Sequence, residues 1–130
     1  MSLNILVVDD SAVMRSIVIK ALRMSGLSLG EIFQAANGRE GLDMLDQHWV
    51  DLVLLDINMP VMSGDQMIEK LRQNAEQHNL PIIVVSTESS ETRIQALSDD
   101  GIGFVHKPFN PQSLREQVIA LTGVQSGAVA

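Results

Sequence analysis

The chain contains no cysteine, so neither a disulfide framework nor a thiolate metal site can contribute to it. Aromatic residues are scarce, with three Phe, one Trp and no Tyr among 130 residues, which leaves little against which a flavin ring could stack. Positive charge is also short: nine Lys and Arg stand against sixteen Asp and Glu, a formal net charge of −7. That balance is the opposite of the basic footprint of a protein that binds DNA or RNA by itself, so no direct nucleic-acid binding is expected. No apolar stretch approaches the roughly 20 residues of a membrane span, and no membrane insertion is expected. The start, Met1-Ser2-Leu3-Asn4, lacks the basic segment and long apolar core of a signal peptide, so a cytoplasmic location is expected.

What the chain does have is a 45% hydrophobic composition, enough for one buried core at single-domain length. Four short apolar runs each stop at a chemically loaded residue. Ile5-Leu6-Val7-Val8 meets Asp9-Asp10, and Leu52-Val53-Leu54-Leu55 meets Asp56-Ile57-Asn58-Met59-Pro60. Ile82-Ile83-Val84-Val85 meets Ser86-Thr87, and Phe104-Val105 leads to Lys107-Pro108. Stretches of helical period alternate with these runs. Ser11 to Ser25 places Val13, Ile17, Ala21 and Met24 on one face and stops at Gly26; Leu42 and Leu45 mark a second helix after Asn37-Gly38. Met67, Ile68, Leu71 and Ala75 mark a third from near Ser63-Gly64, Ile94 and Leu97 a fourth ending before Gly101, and Leu114, Val118 and Leu121 a fifth after Asn110-Pro111.

Strands alternating with helices predict an α/β fold of five βα units, a (βα)5 doubly wound parallel sheet. The second strand, near Ile32-Phe33-Gln34-Ala35, and the fifth, near Ile102 to Val105, are less uniformly apolar than the others. Strands covered on both faces should be the most apolar, so one, three and four belong in the middle, as in the flavodoxin-like order 2-1-3-4-5. One domain over 1–122 and a frayed tail over 123–130 are expected. In this order the carboxyl ends of the strands share one edge, and the chain winds to opposite sides from strand one, which creates a crevice where ligands bind. Asp9, Asp10 and Asp56 converge there. Two carboxylates about 4 Å apart repel by about 4 kcal/mol at an effective dielectric near 20, so three call for a counter-charge. Oxygen donors with no His or Cys nearby suit Mg²⁺.

With these residues in order, each at a strand end, the chain resembles the CheY-like receiver domains of the two-component response regulators, over about residues 3–122. The family's acidic pair matches Asp9 and Asp10, its phospho-acceptor Asp56, its switch hydroxyl Ser86 and its lysine Lys107. The resemblance implies that Asp9, Asp10, Asp56 and the backbone carbonyl of Asn58 hold Mg²⁺. It implies that Asp56 takes a phosphoryl group from the phosphohistidine of a sensor histidine kinase or phosphotransfer protein, or from acetyl phosphate. Ser86 and Lys107 would contact phosphoryl oxygens, and Phe104 would swing inward as the switch aromatic. Lys107-Pro108 is a candidate cis peptide that aims the lysine. A downstream protein target would read the face built from the fourth helix, fifth strand and fifth helix. Such a chain is a self-modifying switch rather than an enzyme, either a chemotaxis-type single-domain regulator or a receiver piece of a longer regulator. Thr87, bulkier than is usual after the switch residue, and the polar Asn58 and Glu88 are expected to tune the phosphoryl lifetime in opposite senses.

Each residue also has a bland reading. Asp9-Asp10 could cap the first helix, Ser86-Thr87 the fourth, and Lys107 could be an ordinary solvated lysine. A flavodoxin-like electron carrier is disfavoured because Asp9-Asp10 would repel a flavin phosphate. An aspartyl-phosphate hydrolase is disfavoured because Asn58 stands where a second acid would protonate the leaving group. Met14, Met24, Met44 and Met67 read as core filler, Trp49 as packing, and His48, His78 and His106 as surface or half-buried histidines.

Overall fold

The computed structural model describes residues 2–87 and 89–123. Its elements follow in the order β1 (Leu3–Val8), α1 (Ala12–Met24), β2 (Leu29–Ala35), α2 (Gly38–Gln47), β3 (Leu52–Leu55), α3 (Gly64–Gln73), β4 (Ile82–Ser86), α4 (Glu91–Asp99), β5 (Gly103–His106) and α5 (Pro111–Thr122). The strands form one parallel sheet in the order β2-β1-β3-β4-β5, as expected. Every residue of β3 and β4 is buried, because helices cover both faces of a central strand, whereas β2 at the rim is largely exposed or half-buried. The two faces carry separate cores. One packs Leu6, Val8, Val53 and Val84 under α2, α3 and α4 through Leu45, Met67, Leu71 and Leu97; the other packs Ile5, Val7, Leu54 and Ile83 under α1 and α5 through Leu22, Leu114 and Val118.

All five helices among the described residues open on a Ser or Asn whose side chain accepts a backbone N–H three residues on: Ser11, Asn37, Ser63, Ser90 and Asn110. The caps decide two of the bland readings. Ser11, not Asp10, is the N-cap of α1, and Ser90, not Ser86 or Thr87, that of α4. The acidic pair and the hydroxyl pair are therefore not placed there to start those helices.

Four expectations from the sequence are corrected. The buried stripe of α1 runs through Val18, Ala21 and Leu22 with Met14 beside it, while Val13, Ile17 and Met24 are exposed. The helix is apolar round most of its circumference, so spacing alone fits two stripes about 100° apart, and the one carrying Leu22 goes to the sheet. Met24 is thus not core filler, whereas Met67 is fully buried and Met14 and Met44 pack at the margins. Helix α3 ends at Gln73, leaving Ala75 exposed outside it, because Asn74 leaves the helical region at ψ 122°. Trp49 is 78% exposed rather than packed. The expected tail beyond Gly123 lies outside the described residues.

The choice of stripe on α1 is testable. Leu22→Ala should cost about 2–4 kcal/mol of unfolding free energy, the penalty of a buried cavity, while Val13→Ala should stay within about 0.5 kcal/mol. Denaturant titration of both variants checks this, and equal losses would place Val13 in the core.

Candidate functional site

Parallel pairing fixes the pocket. Val8 of β1 lies beside Leu55 of β3, so the residues that follow, Asp9 and Asp56, leave the sheet side by side. The ladder continues past the strand ends, with Asp56 N donating to the Val8 carbonyl at 3.0 Å and Asp9 N to the Ala35 carbonyl at 3.1 Å. On the far side Ser86 pairs with His106, and Lys107 N donates to the Ser86 carbonyl at 2.8 Å, so Lys107 leaves β5 toward the same edge. The Lys107–Pro108 peptide is cis.

The side chains meet as the topology requires. One carboxylate oxygen each from Asp9, Asp10 and Asp56 lies within 4.8 Å of the others. Lys107 Nζ stands 3.5 Å from Asp9 Oδ2 and 4.0 Å from Asp56 Oδ2. Asp9 is buried, Asp56 and Lys107 are half-buried, and Asp10 is exposed at the mouth. One ammonium against three carboxylates leaves negative charge in excess. An all-oxygen donor set at this spacing fits a hard divalent cation after small side-chain rotations, and offers nothing to a thiophilic one.

Asp9 and Asp56 are also held from behind. Asp9 Oδ1 accepts Ser11 N at 2.9 Å, and its backbone carbonyl accepts Arg15 Nη1 at 2.6 Å. Asp56 Oδ1 accepts Ile57 N at 2.8 Å. Burial pushes the Asp56 carboxyl above the usual carboxylate range; Lys107 pulls it back, Asp9 raises it again, and the backbone N–H groups of Ile57 and Asn58 favour its charge. Cationic charge in the pocket works against that rise and favours the ionised carboxylate, the form that serves as nucleophile and ligand.

The loop after Asp56 is tightly folded. Val61 takes a positive φ of 65° in a three-residue turn where Met62 N donates to the Pro60 carbonyl at 2.6 Å. Gly64 N donates to the Ile57 carbonyl at 2.8 Å, and a Cβ on Gly64 would collide with the Asp56 carbonyl and the Leu55 side chain. Gly64, which the spacing places at a helix start, thus also abuts the pocket, and Arg15 supports it from α1. A glycine at N1 of a helix, where larger residues are favoured, was the available signal for the first; Arg15 gave none.

The remaining sequence candidates fall as follows. Ser86 is buried at the end of β4, and Thr87 beside it is exposed. Asn58 is exposed two residues past Asp56. Phe104 pairs with Val84, half-buried against the core under α2, α3 and α4. Glu88 lies outside the described residues. The three histidines are exposed, with His48 stacked on Phe33 at 4.3 Å between ring centroids.

Comparison with known proteins agrees with this arrangement. The family model described as the response regulator receiver domain matches residues 5–119. A chemotaxis protein CheY homolog of Campylobacter jejuni is 33% identical over 127 residues, covering 96% of each chain. A protein-glutamate methylesterase/protein-glutamine glutaminase of Treponema pallidum is 35% identical over 120 residues, which are 89% of this chain and 29% of that protein. Among solved structures, Vibrio cholerae chemotaxis protein CheY4 superposes with a TM-score of 0.80 at 32% identity, covering 93% of this chain and 99% of that one. No helix among the described residues is long and apolar enough to cross a membrane.

The raised Asp56 pKa has a stability consequence. A carboxyl that holds its proton more tightly when folded stabilises the native state fully below the ordinary value of 3.8, and that contribution is lost as pH rises through the higher folded value. In chelator-treated protein at pH 7, Asp56→Asn should therefore melt at a higher temperature than wild type. The gain should shrink toward zero as pH falls to 3.8. Thermal melts over that range check it; a variant no more stable at pH 7 would mean that Asp56 carries no desolvation strain.

Proposed function

Since the chain belongs to the family of response regulator receiver domains, we propose that it is a phosphorylation-dependent signalling switch with Asp56 as phospho-acceptor. The observation that supports this best is the Asp56 carboxylate at the end of β3, with the Asp9 carboxylate and the Lys107 ammonium beside it, the latter 4.0 Å away. The donor is the phosphohistidine of a sensor histidine kinase or phosphotransfer protein, or a small acyl phosphate such as acetyl phosphate.

Asp9, Asp10, Asp56 and the backbone carbonyl of Asn58 would hold Mg²⁺, which when bound neutralises the acids and the incoming phosphoryl oxygens. An Asp56 oxygen attacks phosphorus in line; with phosphohistidine the P–N bond breaks and the departing imidazole takes up a proton, and with acetyl phosphate the P–O bond breaks and acetate departs. Lys107 contributes a point charge to a phosphoryl oxygen, and Ser86 a hydroxyl donor to another. The group ends on the chain's own side chain, so the protein is a switch rather than an enzyme acting on other molecules, and it assists its own phosphorylation and dephosphorylation. Asn58 and Glu88 on one hand and the bulkier Thr87 on the other tune, in opposite senses, how long the phosphoryl group lasts.

Output leaves through the α4-β5-α5 face toward a downstream protein target. Ser86 ends β4, Phe104 sits on the neighbouring β5, and Lys107 follows the same strand, so groups able to contact the phosphate are covalently tied to the elements that form that face. The chemotaxis relatives favour a single-domain regulator. The Treponema pallidum relative, in which the matching region is a minor part, supports the alternative of a receiver piece of a longer regulator.

Incubation with acetyl phosphate and Mg²⁺ should add one phosphoryl mass to wild type and none to Asp56→Asn, read by intact-mass spectrometry; equal labelling would refute the assignment. Ser86→Ala should still accept the group but transmit it poorly. With beryllofluoride as phosphoryl mimic, wild-type amide shifts should move at Ile94, Phe104 and Leu114 as well as near Asp56. In Ser86→Ala the remote shifts should fall by about half or more. Unmoved α4 and β5 amides in wild type would exclude that face.

A further inference from the structure

The amino-terminal edge of the sheet, opposite the acid pocket, holds a cleft of about 360 Å³ between the end of α2 and the loop entering β4. We propose that this cleft is a docking site for an arginine side chain and an adjoining aliphatic residue of a partner protein, with Trp49 as its platform. It shares no residue with the acid pocket, so it stands or falls separately from the phospho-acceptor reading.

Tryptophan is among the most buried residues on average, yet Trp49 is 78% exposed. It is not loose. Its indole Nε1 donates to Asp51 Oδ1 at 2.9 Å, and Asp51 Oδ2 accepts Asn4 N from β1 at 2.9 Å. Its carbonyl accepts Asn4 Nδ2 at 3.2 Å, while Asn4 Oδ1 accepts Glu31 N from β2 at 2.9 Å. Asn4 thus ties the Trp49–Asp51 turn to two strands, and the indole is presented as a fixed face. The opposite wall is fixed too, because Arg72 Nη1 donates to the His78 and Leu80 carbonyls at 2.9 and 3.3 Å and closes the loop that carries Glu76 and Pro81. The conformational entropy of forming the site is spent before any partner arrives, which is the condition for an exposed aromatic to anchor binding.

Charge selects the occupant. Asp51 and Glu76 line the cleft, and no Lys or Arg among the described residues does. A cation is therefore favoured, and a phosphate-bearing nucleic acid is repelled both here and by the net charge of −7. Of the two basic side chains, arginine fits better, since its planar guanidinium stacks on an indole while its edge N–H groups still reach a carboxylate. Leu45, Leu80 and Pro81 supply an apolar floor beside that position, large enough for one aliphatic neighbour.

Trp49 is the sole tryptophan and the chain has no tyrosine, so its emission reports this site alone. The full chain is titrated with the blocked dipeptide acetyl-Leu-Arg-amide, its neutral counterpart with citrulline for arginine, and argininamide alone. A saturable change in emission is expected with the first, with roughly fivefold or weaker binding of each of the other two and of the first to Glu76→Gln. No saturable change, or equal affinity for arginine and citrulline peptides, would overturn the proposal. Equal affinity for argininamide would assign the cleft to a small cation instead of a protein segment. A dimer in sedimentation velocity that Trp49→Ser abolishes would assign it to a second copy of the chain; both of these results also overturn the proposal.

Discussion

Like charges held together against their repulsion are the constraint on which the rest of this molecule turns. Parallel pairing of β1 with β3 leaves Asp9 and Asp56 no alternative to emerging as neighbours, and the helices on both faces limit the water that could screen them. Hydrophobic burial along β3 and β4 supplies the stability that tolerates this crowding. Lys107 relieves part of it, and burial adds a separate cost, raising the Asp56 pKa more than Lys107 lowers it. A pocket with unrelieved negative charge has affinity for whatever brings positive charge, and phosphoryl transfer requires the same neutralisation.

Much of this was legible in the sequence because strand ends are punctuated by chemistry. Uniformly apolar runs at Ile5, Leu52 and Ile82 gave the central strands, the weaker runs gave the rims, and with them came the strand order and the convergence of Asp9, Asp10, Asp56, Ser86 and Lys107. What stayed hidden depends on geometry that spacing does not encode. Helix α1 offers two apolar stripes, and only packing against the sheet selects Val18 and Leu22 over Val13 and Ile17. Trp49 reads as a core residue by type, yet its neighbours Asn4 and Asp51 hold it outward through hydrogen bonds between positions 47 residues apart. The support of Asp9 by Arg15 and the close approach of Gly64 to Asp56 are likewise contacts that no local pattern announces.

The two edges of the sheet are built on opposite principles. At the carboxyl edge, charged groups are drawn together under strain, ready to respond when a phosphoryl group changes the local charge. At the amino edge, Asp51 accepts from Asn4 and Trp49, and Arg72 donates to the carbonyls of the loop entering β4, which makes a rigid surface. A domain that switches at one end and stays fixed at the other can be held by one partner while it changes its affinity for another.

The central claim is that Asp9, Asp10 and Asp56 form one cation site, and paramagnetic Mn²⁺ tests it most directly because it shares the oxygen-ligand preference of Mg²⁺ and broadens nearby amide signals. Substoichiometric Mn²⁺ should erase the amides of Asp9, Asp10, Asp56, Ile57, Asn58 and Lys107 first, leave those of Trp49 and Asp51 intact, and be reversed by excess Mg²⁺. Broadening spread over the acidic surface, or broadening at the pocket that Mg²⁺ fails to reverse, would contradict the account.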